Sequence, residues 1–230
     1  SEHEISCSSA ASVLDAIDRK TFDPVLIGIT KSGQWVEPRA DQQLSIVDGK
    51  LPEITGGTSK NAQDLVASVD ILFPLLHGTF GEDGVFQGLC EMFGAKYVGS
   101  GVLASAVAMD KSFAKPIFQA QGLEVAQGIV VNSSEGIDAT SLSFPVFVKP
   151  ARGGSSRGTT KVKSADGVKS AVIEALRFDT KVIIESAVIG REIECAVLER
   201  DGIAVASPLT EINVLGNHEF YDFEAKYCST

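Results

Sequence analysis

The feature that most constrains this chain is an apolar segment that runs directly into a glycine-rich loop, at residues 144–158 (FPVFVKPARGGSSRG). Its first part, residues 144–150, is rich in β-branched and aromatic residues, which favours a strand. The glycines and serines that follow let the backbone approach a ligand closely and turn amide N–H groups toward an anion. Lys149 adds a point charge for phosphate oxygens. Taken alone, these residues favour phosphate binding and a plain flexible turn equally, since the pattern is not the GxxxxGK[ST] of common NTPases.

The overall charge limits the kinds of partner. The chain has 30 acidic and 20 basic side chains, so its formal net charge is −10. Phosphate backbones are bound by clustered Lys and Arg, so we expect no nucleic acid partner. We also expect no membrane partner, because no apolar run approaches the ~20 residues of a transmembrane helix. A nucleotide still fits this composition if positive charge gathers locally.

The cysteines point to a reducing compartment. None of the four is spaced as CxxC, so neither a zinc ribbon nor a redox motif is indicated. Each lies among apolar or small residues, which predicts buried free thiols and a cytoplasmic protein. The four are Cys7, Cys90, Cys195 and Cys228.

Strand-like and helical patterns alternate along the chain, which favours an α/β fold with a parallel sheet. Helices are predicted at residues 5–18, with Ser6 as a cap, 84–93 and 165–178. Strands are predicted at residues 24–30, 69–76, 97–99, 144–150, 181–185, 192–199 and 203–208, the last two forming a hairpin around Asp201-Gly202. Residues 103–122 are helical in composition, but proline disrupts a helix interior. We therefore predict a break near Asp110 and a kink or irregular turn near Pro116.

A second glycine-rich loop follows the apolar run at residues 69–76, where open α/β sheets place their ligands. It contains His77, Glu82 and Asp83. A functional loop and a plain loop in which Asp83 caps the next helix are equally compatible with these residues. One histidine and two acids on a short loop are weak support for a metal site. The polar and aromatic run at residues 220–227 is ambiguous in the same way, since it also fits an edge strand.

The order of these segments is more specific than any one of them. They are SEHEIS, LHGTFGEDGVFQG, YVGSGVLASAVAMDK, FPVFVKPARGGSSRG, IIESAVIGREIECAVL and FYDFEAKY, at residues 1–6, 76–88, 97–111, 144–158, 183–198 and 220–227. In this order and spacing the chain resembles the D-alanine–D-alanine ligases of the ATP-grasp superfamily. The resemblance implies an α/β fold with a Rossmann-like N-terminal domain, a central ATP-grasp subdomain and the start of a C-terminal ATP-grasp subdomain that carries a flap loop. The implied ranges are 1–101, 102–188 and 189–230.

The resemblance also implies an activity. One D-alanine carboxylate attacks the γ-phosphate of ATP to give an acyl phosphate, and the amine of a second D-alanine displaces phosphate, for peptidoglycan precursor synthesis. Because an anionic carboxylate must meet an anionic triphosphate, the site needs cations and oriented donors. The family further implies Mg²⁺, whose ligands we expect beyond residue 230, and a homodimer formed through the N-terminal region.

Roles at the amino-acid end of the site carry over by motif. Glu2 is expected to hold the ammonium group of the first D-alanine, with His77 near its carboxylate. Ser155 and Tyr227 are expected to form a hydrogen-bonded network with Glu2 that closes the flap. Such a lid excludes the water that would hydrolyse the acyl phosphate.

Roles at the nucleotide end follow in the same way. Lys111 and Lys149 are expected to contact the α- and β-phosphates, and Glu185 to accept from the adenine amino group. The loop over the β- and γ-phosphates comprises Gly153, Gly154, Ser155 and Ser156. The hinge backbone of Ala187 and Val188 is expected to contact the adenine ring, and Glu192 to bind the ribose hydroxyls. In the flap, Lys226 is expected to reach the γ-phosphate, and Tyr221 is expected to contact the nucleotide.

The chain departs from the family pattern in several places. The strand and Gly-Gly turn that normally precede SEHEIS are absent, and the chain stops soon after the flap motif, before the family's arginine and magnesium ligands. Residues 211–213 (EIN) resemble the metal motif E-x-N but precede the flap, so we assign them no metal. Arg157 replaces a small or apolar residue; it adds a phosphate contact or points to solvent, and we favour solvent. Pro116 is also unexpected. We expect these 230 residues not to ligate alone.

Two alternatives stay open. A D-alanine–D-lactate ligase shares the chemistry, although Lys226-Tyr227 in the flap favours the dipeptide-forming type by resemblance. A non-catalytic ATP-binding fragment or paralogue is the alternative from another class, and the early end of the chain is its best support.

Overall fold

The computed structural model describes residues 2–214 and 219–227 of the chain. The chain divides into two units, Ser1–Ala114 (unit 1) and Lys115–Thr230 (unit 2). The three-part division expected from the family stays a prediction.

Unit 1 combines one small sheet with short helices. Its elements are α1 (His3–Ala16), β1 (Gly28–Ile29), β2 (Trp35–Pro38), β3 (Gly57–Ser59), α2 (Ala62–Ala67), α3 (Val85–Met92) and α4 (Val102–Met109), followed by α5 (Lys111–Ala120), which continues into unit 2. The sheet order is β1-β2-β3, and both pairings are antiparallel. The first helix buries Cys7 in a core with Val36 and Ile54.

The strand predicted at residues 69–76 is wrong. Only Leu72 pairs, through a single parallel bridge with Tyr97, in which the Leu72 N–H donates to the Lys96 carbonyl at 2.8 Å. Leu72 is buried, but its neighbours Ile71 and Phe73 are about half exposed. Leu72 anchors this run in the core, and the half-buried Val69 and Leu76 pack against the same cluster. The parallel sheet is reduced to this bridge among the described residues, and the strand predicted at 24–30 shortens to Gly28–Ile29.

The helical predictions are largely confirmed, with different ends. The first helix begins at His3 after Glu2, so Ser6 is not its cap; the Ser6 hydroxyl lies inside the helix and donates to the Glu2 carbonyl at 3.2 Å. The predicted break is present at Asp110, whose extended backbone (φ −91°, ψ 102°) separates α4 from α5. Its carboxylate accepts from the Ser112 N–H at 2.9 Å, as an N-cap does. Pro116 lies inside α5.

Unit 2 is built around a four-stranded antiparallel sheet of order β4-β7-β5-β6. Its strands are β4 (Gly128–Val131), β5 (Val146–Pro150), β6 (Thr160–Val162) and β7 (Val182–Ser186), and α6 (Val168–Ala175) packs against the sheet. The core contains Val148, Val172 and Ile184, all fully buried. The predicted strand at 144–150 and the predicted helix at 165–178 are thus confirmed, the helix being shorter and preceded by a 3₁₀ turn at Ala165–Gly167.

The rest of unit 2 forms two ribbons and a short helix. The elements are β8 (Glu192–Glu194), β9 (Val197–Arg200), β10 (Ile203–Ala206), β11 (Thr210–Ile212) and α7 (Phe223–Tyr227). The predicted hairpin turn is confirmed: β9 pairs with β10, and Asp201 (φ 53°) and Gly202 (φ 76°) make the turn. The strand predicted at 192–199 is divided into β8 and β9, and β8 pairs with β11 instead. The last element shows that the run at residues 220–227 ends in a helix and not in an edge strand.

The prediction of buried thiols is confirmed for Cys7 and Cys90 and wrong for Cys195. That residue lies between β8 and β9, in a part of unit 2 whose strands are exposed, and its Sγ donates to the Ser207 carbonyl at 3.4 Å. Cys228 lies outside the described residues. Among the helices that the structure describes, all are too short or too polar to cross a membrane.

Candidate active site

Glu2 and the loop after residue 76 come together in unit 1. Glu2 is only 6% exposed, and its backbone N–H donates to the His77 carbonyl at 3.1 Å. Gly78 lies against the Glu2 carboxylate, since a Cβ added there would be 3.2 Å from Oε1. A larger residue at Gly78 would also be strained, because its φ is +74°. The structure therefore places two predicted substrate-binding residues side by side.

The His77 ring is held from both sides. Its Nε2 is 2.8 Å from the Ser9 hydroxyl, and its Nδ1 is 3.5 Å from Glu82 Oε1. The other Glu82 oxygen accepts from the Gly78 N–H at 2.9 Å, which ties the acid to the same loop. The sequence did not single out Ser9; its spacing of seven residues from Glu2 on a helix, about two turns, is the only signal for it.

Charge makes this histidine easy to protonate. Hydrogen bonding to Glu82 raises the pKa of His77 above its usual value, although burial acts in the opposite direction. The same hydrogen bond holds the pKa of the Glu82 carboxyl below its usual value, against the effect of burial. The site thus favours a cationic imidazole beside the Glu2 carboxylate.

Glu82→Gln is expected to lower the pKa of His77, because it removes the main group that stabilises the imidazolium. A raised folded pKa means that the pair stabilises the fold below the unfolded pKa of about 6.5 and that this contribution is lost as pH rises through the folded pKa. The titration is followed by NMR of the His77 ring protons. The matched control is Glu135→Gln, which changes an exposed glutamate paired with Lys169. An unchanged His77 titration in Glu82→Gln contradicts the assignment.

Asp83 orders the turn before α3. Its carboxylate accepts from the Val85 N–H at 3.1 Å and from the Phe80 N–H at 2.9 Å. The N-cap of α3 is Gly84, so the prediction that Asp83 caps this helix is wrong; its carboxylate instead holds the loop that contains His77 and Glu82.

The glycine-rich loop of unit 2 follows β5 and has an unusual backbone. Ser155 and Ser156 adopt positive φ angles of 49° and 57°, and Gly158 follows at 68°. A Cβ at Gly158 would lie 2.5 Å from the Phe178 ring, so a side chain does not fit there. Positive φ angles at two consecutive non-glycine residues are uncommon, and such conformations cluster at active sites and ligand-binding turns. The Ser156 hydroxyl donates to the Tyr221 carbonyl at 2.9 Å, which links the loop to the segment before α7.

A clamp fixes the start of this loop. Asp179 accepts from the Arg152 backbone N–H at 2.8 Å and from its guanidinium at 2.5 Å. Burial raises the pKa of the Asp179 carboxyl, but hydrogen bonds from Arg152 and Lys181 outweigh it, so the pKa lies below its usual value. No sequence pattern indicates a role for this pair, because the two residues are 27 positions apart and meet only in the folded chain.

Glu185 on β7 is a buried acid, at 8% exposed. Lys115 contacts its Oε2 and Lys149 contacts its Oε1. Burial raises the pKa of the Glu185 carboxyl, but the two lysines lower it further than burial raises it. Gly128 of β4 lies opposite Glu185, and a Cβ there would be 2.2 Å from the Ile184 carbonyl oxygen. Two predicted ATP-binding residues thus meet directly.

Lys115 was missed by the sequence reasoning. The available signal was its position four residues after Lys111, which places both lysines on one face of α5. Lys111 is the first residue of that helix.

The other predicted nucleotide residues are spread over unit 2. The Ala187 N–H donates to the Pro145 carbonyl at 2.9 Å, and the next residue, Val188, is exposed. Glu192 begins the exposed strand β8. Gly153 and Gly154 lie half-buried in the loop before Ser155.

The segment with the predicted flap residues carries two stacked cations. The Lys226 ammonium lies 4.9 Å from the Tyr221 ring centroid, and the Arg157 guanidinium lies 5.6 Å from that of Phe223. Arg157 is exposed, as favoured, but it stacks on a ring. Tyr227 ends α7, and its side chain lies outside what the structure describes. The network of Glu2, Ser155 and Tyr227 stays a prediction.

The metal question was tested on the donor set. Within residues 2–214 and 219–227, no three His, Cys, Asp or Glu side chains are arranged to hold a metal ion. Glu211, in the motif that resembles E-x-N, pairs with Arg191 at 3.3 Å. The described residues by themselves do not fit Mg²⁺.

Comparison with known proteins gives one consistent result. The family model "D-ala D-ala ligase N-terminus" matches residues 1–100, and "D-ala D-ala ligase C-terminus" matches residues 117–230. The D-alanine–D-alanine ligase of Paenarthrobacter aurescens is 47% identical over 99% of this chain and 68% of its own length. That of Mycobacterium avium is 45% identical over 98% of this chain and 69% of its own length. The chain spans about two thirds of the length of these relatives.

Solved structures agree. The VanG D-Ala:D-Ser ligase of Enterococcus faecalis superposes with a TM-score of 0.76 at 30% identity, over 96% of this chain and 68% of that one. The D-alanine–D-alanine ligase of Coxiella burnetii gives 0.74 at 31% identity, over 92% of this chain and 67% of that one.

Proposed function

Since the chain belongs to the D-alanine–D-alanine ligase family, we propose that it ligates two D-alanines with ATP, through an acyl phosphate. The observation that carries the proposal is the positive charge beside the glycine-rich loop of unit 2. Lys149 lies near the end of the strand that enters this loop, and Lys115 shares its carboxylate partner. In a chain of net charge −10, two lysines gathered around one buried acid, one of them on the strand that enters the loop, favour a polyphosphate ligand.

Unit 1 would bind the first amino acid. The buried Glu2 carboxylate would take the ammonium group, and protonated His77 would take the carboxylate. Ser9 and Glu82 would hold the imidazole in position, and the raised pKa of His77 supports this assignment because it favours the cationic form of the ring.

Unit 2 would bind the nucleotide. Lys149 would move from Glu185 to the phosphates, together with Lys111, and the backbone at Gly153, Gly154, Ser155 and Ser156 would donate to them. Glu185 would accept from the adenine amino group. The remaining proposed contacts are Ala187 and Val188 at the hinge, Glu192 at the ribose, and Tyr221 and Lys226 in the segment before and within α7.

The chemistry balances as two displacements. A carboxylate oxygen of the first D-alanine bonds to the γ-phosphorus while the bond to the bridging oxygen breaks, and ADP leaves. The amine of the second D-alanine then attacks the acyl carbon and loses a proton, and inorganic phosphate leaves. Lysines that neutralise the phosphates lower both barriers. Closure by Ser155, Tyr227 and Glu2 would exclude water from the acyl phosphate.

The family also supports a wider proposal. The product would feed peptidoglycan synthesis, the protein would work in the cytoplasm as a homodimer, and Mg²⁺ would accompany ATP. The ranges 1–101, 102–188 and 189–230 would correspond to the substrate-binding domain, the central subdomain and the beginning of the C-terminal subdomain.

The test compares the 230-residue chain with a chimera that adds the parts of the Paenarthrobacter aurescens relative that this chain does not cover. We expect the 230 residues to bind ATP, and the chimera to release ADP and form D-alanyl-D-alanine. Offering D-alanine, D-lactate and D-serine as second substrate decides the product. A chain that binds no ATP, or a folded chimera that forms no dipeptide, contradicts the proposal; ligation by the 230 residues alone contradicts only the expectation about length.

A further inference from the structure

Glu185 has one lysine on each of its two carboxylate oxygens. Lys149 reaches Oε1 from the central strand β5, and Lys115 reaches Oε2 from α5. All three side chains are mostly buried. The two lysines are therefore not equivalent: Lys149 leads into the glycine-rich loop, whereas Lys115 lies on a helix and contacts the opposite oxygen.

A bound nucleotide would give the two lysines different partners. If Lys149 turns to the phosphates, Oε1 loses its partner and Oε2 keeps Lys115. The carboxylate then stays neutralised by one cation and held through one oxygen, with the other oxygen available to an incoming donor. The strand on the other side of β7 offers no replacement, because the residue opposite Glu185 is Gly128.

We propose that Lys115 is a positioning residue for nucleotide selection: by holding Glu185 through Oε2, it presents Oε1 to the exocyclic amino group of a 6-aminopurine. This inference rests on the proposed function, since it needs a nucleotide in unit 2. Lys115 itself touches neither base nor phosphate.

The selection follows from hydrogen-bond chemistry. An ionised carboxylate only accepts hydrogen bonds, so it pairs with the 6-amino group of adenine and opposes the 6-oxo group of hypoxanthine. A buried carboxyl without a counter-charge takes up a proton and gains a donor, which pairs with a 6-oxo group. With Lys115 in place, the carboxylate keeps its charge after Lys149 has left, and the 6-oxo purine stays disfavoured.

A purely structural ion pair is the alternative. Buried salt bridges often contribute little net stability, so a stability measurement alone does not separate the two roles. The preference between ATP and ITP does separate them. A structural defect weakens the binding of both nucleotides equally, whereas a mispositioned or protonated Glu185 changes the ratio of their Kd values.

The experiment measures the Kd of ATP and of ITP for the 230-residue chain by calorimetry, in wild type, Lys115→Met, Lys115→Arg and Lys149→Met. We expect the wild type to bind ATP more tightly than ITP. In Lys115→Met we expect the ratio of the ITP Kd to the ATP Kd to fall by at least about tenfold, equivalent to about 1.4 kcal/mol. Lys115→Arg keeps the charge and is expected to retain most of the ratio. Lys149→Met is expected to weaken both nucleotides and leave the ratio unchanged, because the phosphates are common to both.

A wild-type ratio in folded Lys115→Met overturns the inference and leaves the proposed function standing. A wild-type chain that binds neither nucleotide overturns the proposed function itself. Thermal unfolding establishes that each variant is folded, and Lys115→Gln, which keeps a donor near Oε2 without the charge, replaces Lys115→Met if that variant unfolds.

Discussion

Lys149→Ala is expected to weaken ATP binding by about 100-fold while the chain stays folded. The variant loses one or more charge-assisted hydrogen bonds to phosphate, and about 1.5–3 kcal/mol for such a bond corresponds to roughly 10- to 100-fold in Kd. The affinity is measured by titration calorimetry and the fold by circular dichroism. Equal ATP affinity in Lys149→Ala and wild type sinks the assignment of Lys149 to the phosphates.

The structure changes the reason for expecting an intact fold. From the sequence, the charge on Lys149 is one that only the phosphates need. In the structure Lys149 also pairs with the buried Glu185. Its removal therefore takes one of two positive charges away from a buried carboxylate, which destabilises the folded state. Lys115 remains on that acid, which is why we still expect folding. The matched control is Lys169→Ala, which removes an exposed lysine of α6 and is expected to leave ATP affinity unchanged.

Ile184→Ala is expected to destabilise the fold by about 2–5 kcal/mol, the range for removing a buried isoleucine side chain from a packed core. Ile184 is fully buried between the sheet and α6. Its strand also carries Glu185, so the loss of packing acts on the strand that bears the candidate nucleotide site. Urea unfolding followed by fluorescence or circular dichroism gives the free-energy difference.

The control for this prediction is supplied by the sheet itself. Ile129 on β4 pairs directly with Ile184 on β7, but it is 40% exposed. Ile129→Ala removes the same atoms from the neighbouring strand and is expected to cost less than half as much, because less apolar surface returns to water. Equal losses in the two variants would show that the sheet of unit 2 is not packed as described.

Local patterns account for most of the secondary structure. The helix at 84–93, the strand at 144–150 and the hairpin around residues 201–202 follow from periodicity, β-branched content and an Asp-Gly turn. The strand predicted at 69–76 is wrong because the run has the apolar content of a buried strand, while within it only Leu72 is buried and forms a β-bridge. Composition reports how apolar a segment is, and not which of its backbone groups find a partner.

The family could also be predicted from the sequence, because the order and spacing of the motifs are specific to it. Each glycine, lysine or acid is ambiguous when taken alone. The comparisons confirm the family, whereas the roles of individual residues stay proposals. Exposure of single residues was harder to foresee. Cys195 resembles a buried thiol in its sequence context, yet the short strand beside it is exposed.

The glycine-rich loop after β5 illustrates which features follow from the sequence and which depend on the tertiary structure. By itself the sequence determined the strand, the loop, the lysine near its start and the family, since these depend on local residue types and on their order. Only the tertiary structure decided that Lys149 shares Glu185 with Lys115, that Asp179 clamps Arg152, and that Ser9 and Glu82 hold His77. Apart from His77 and Glu82, which share one loop, these contacts join residues from different parts of the chain. Their ion pairing and hydrogen bonding depend on burial and distance, which exist only once the chain has folded.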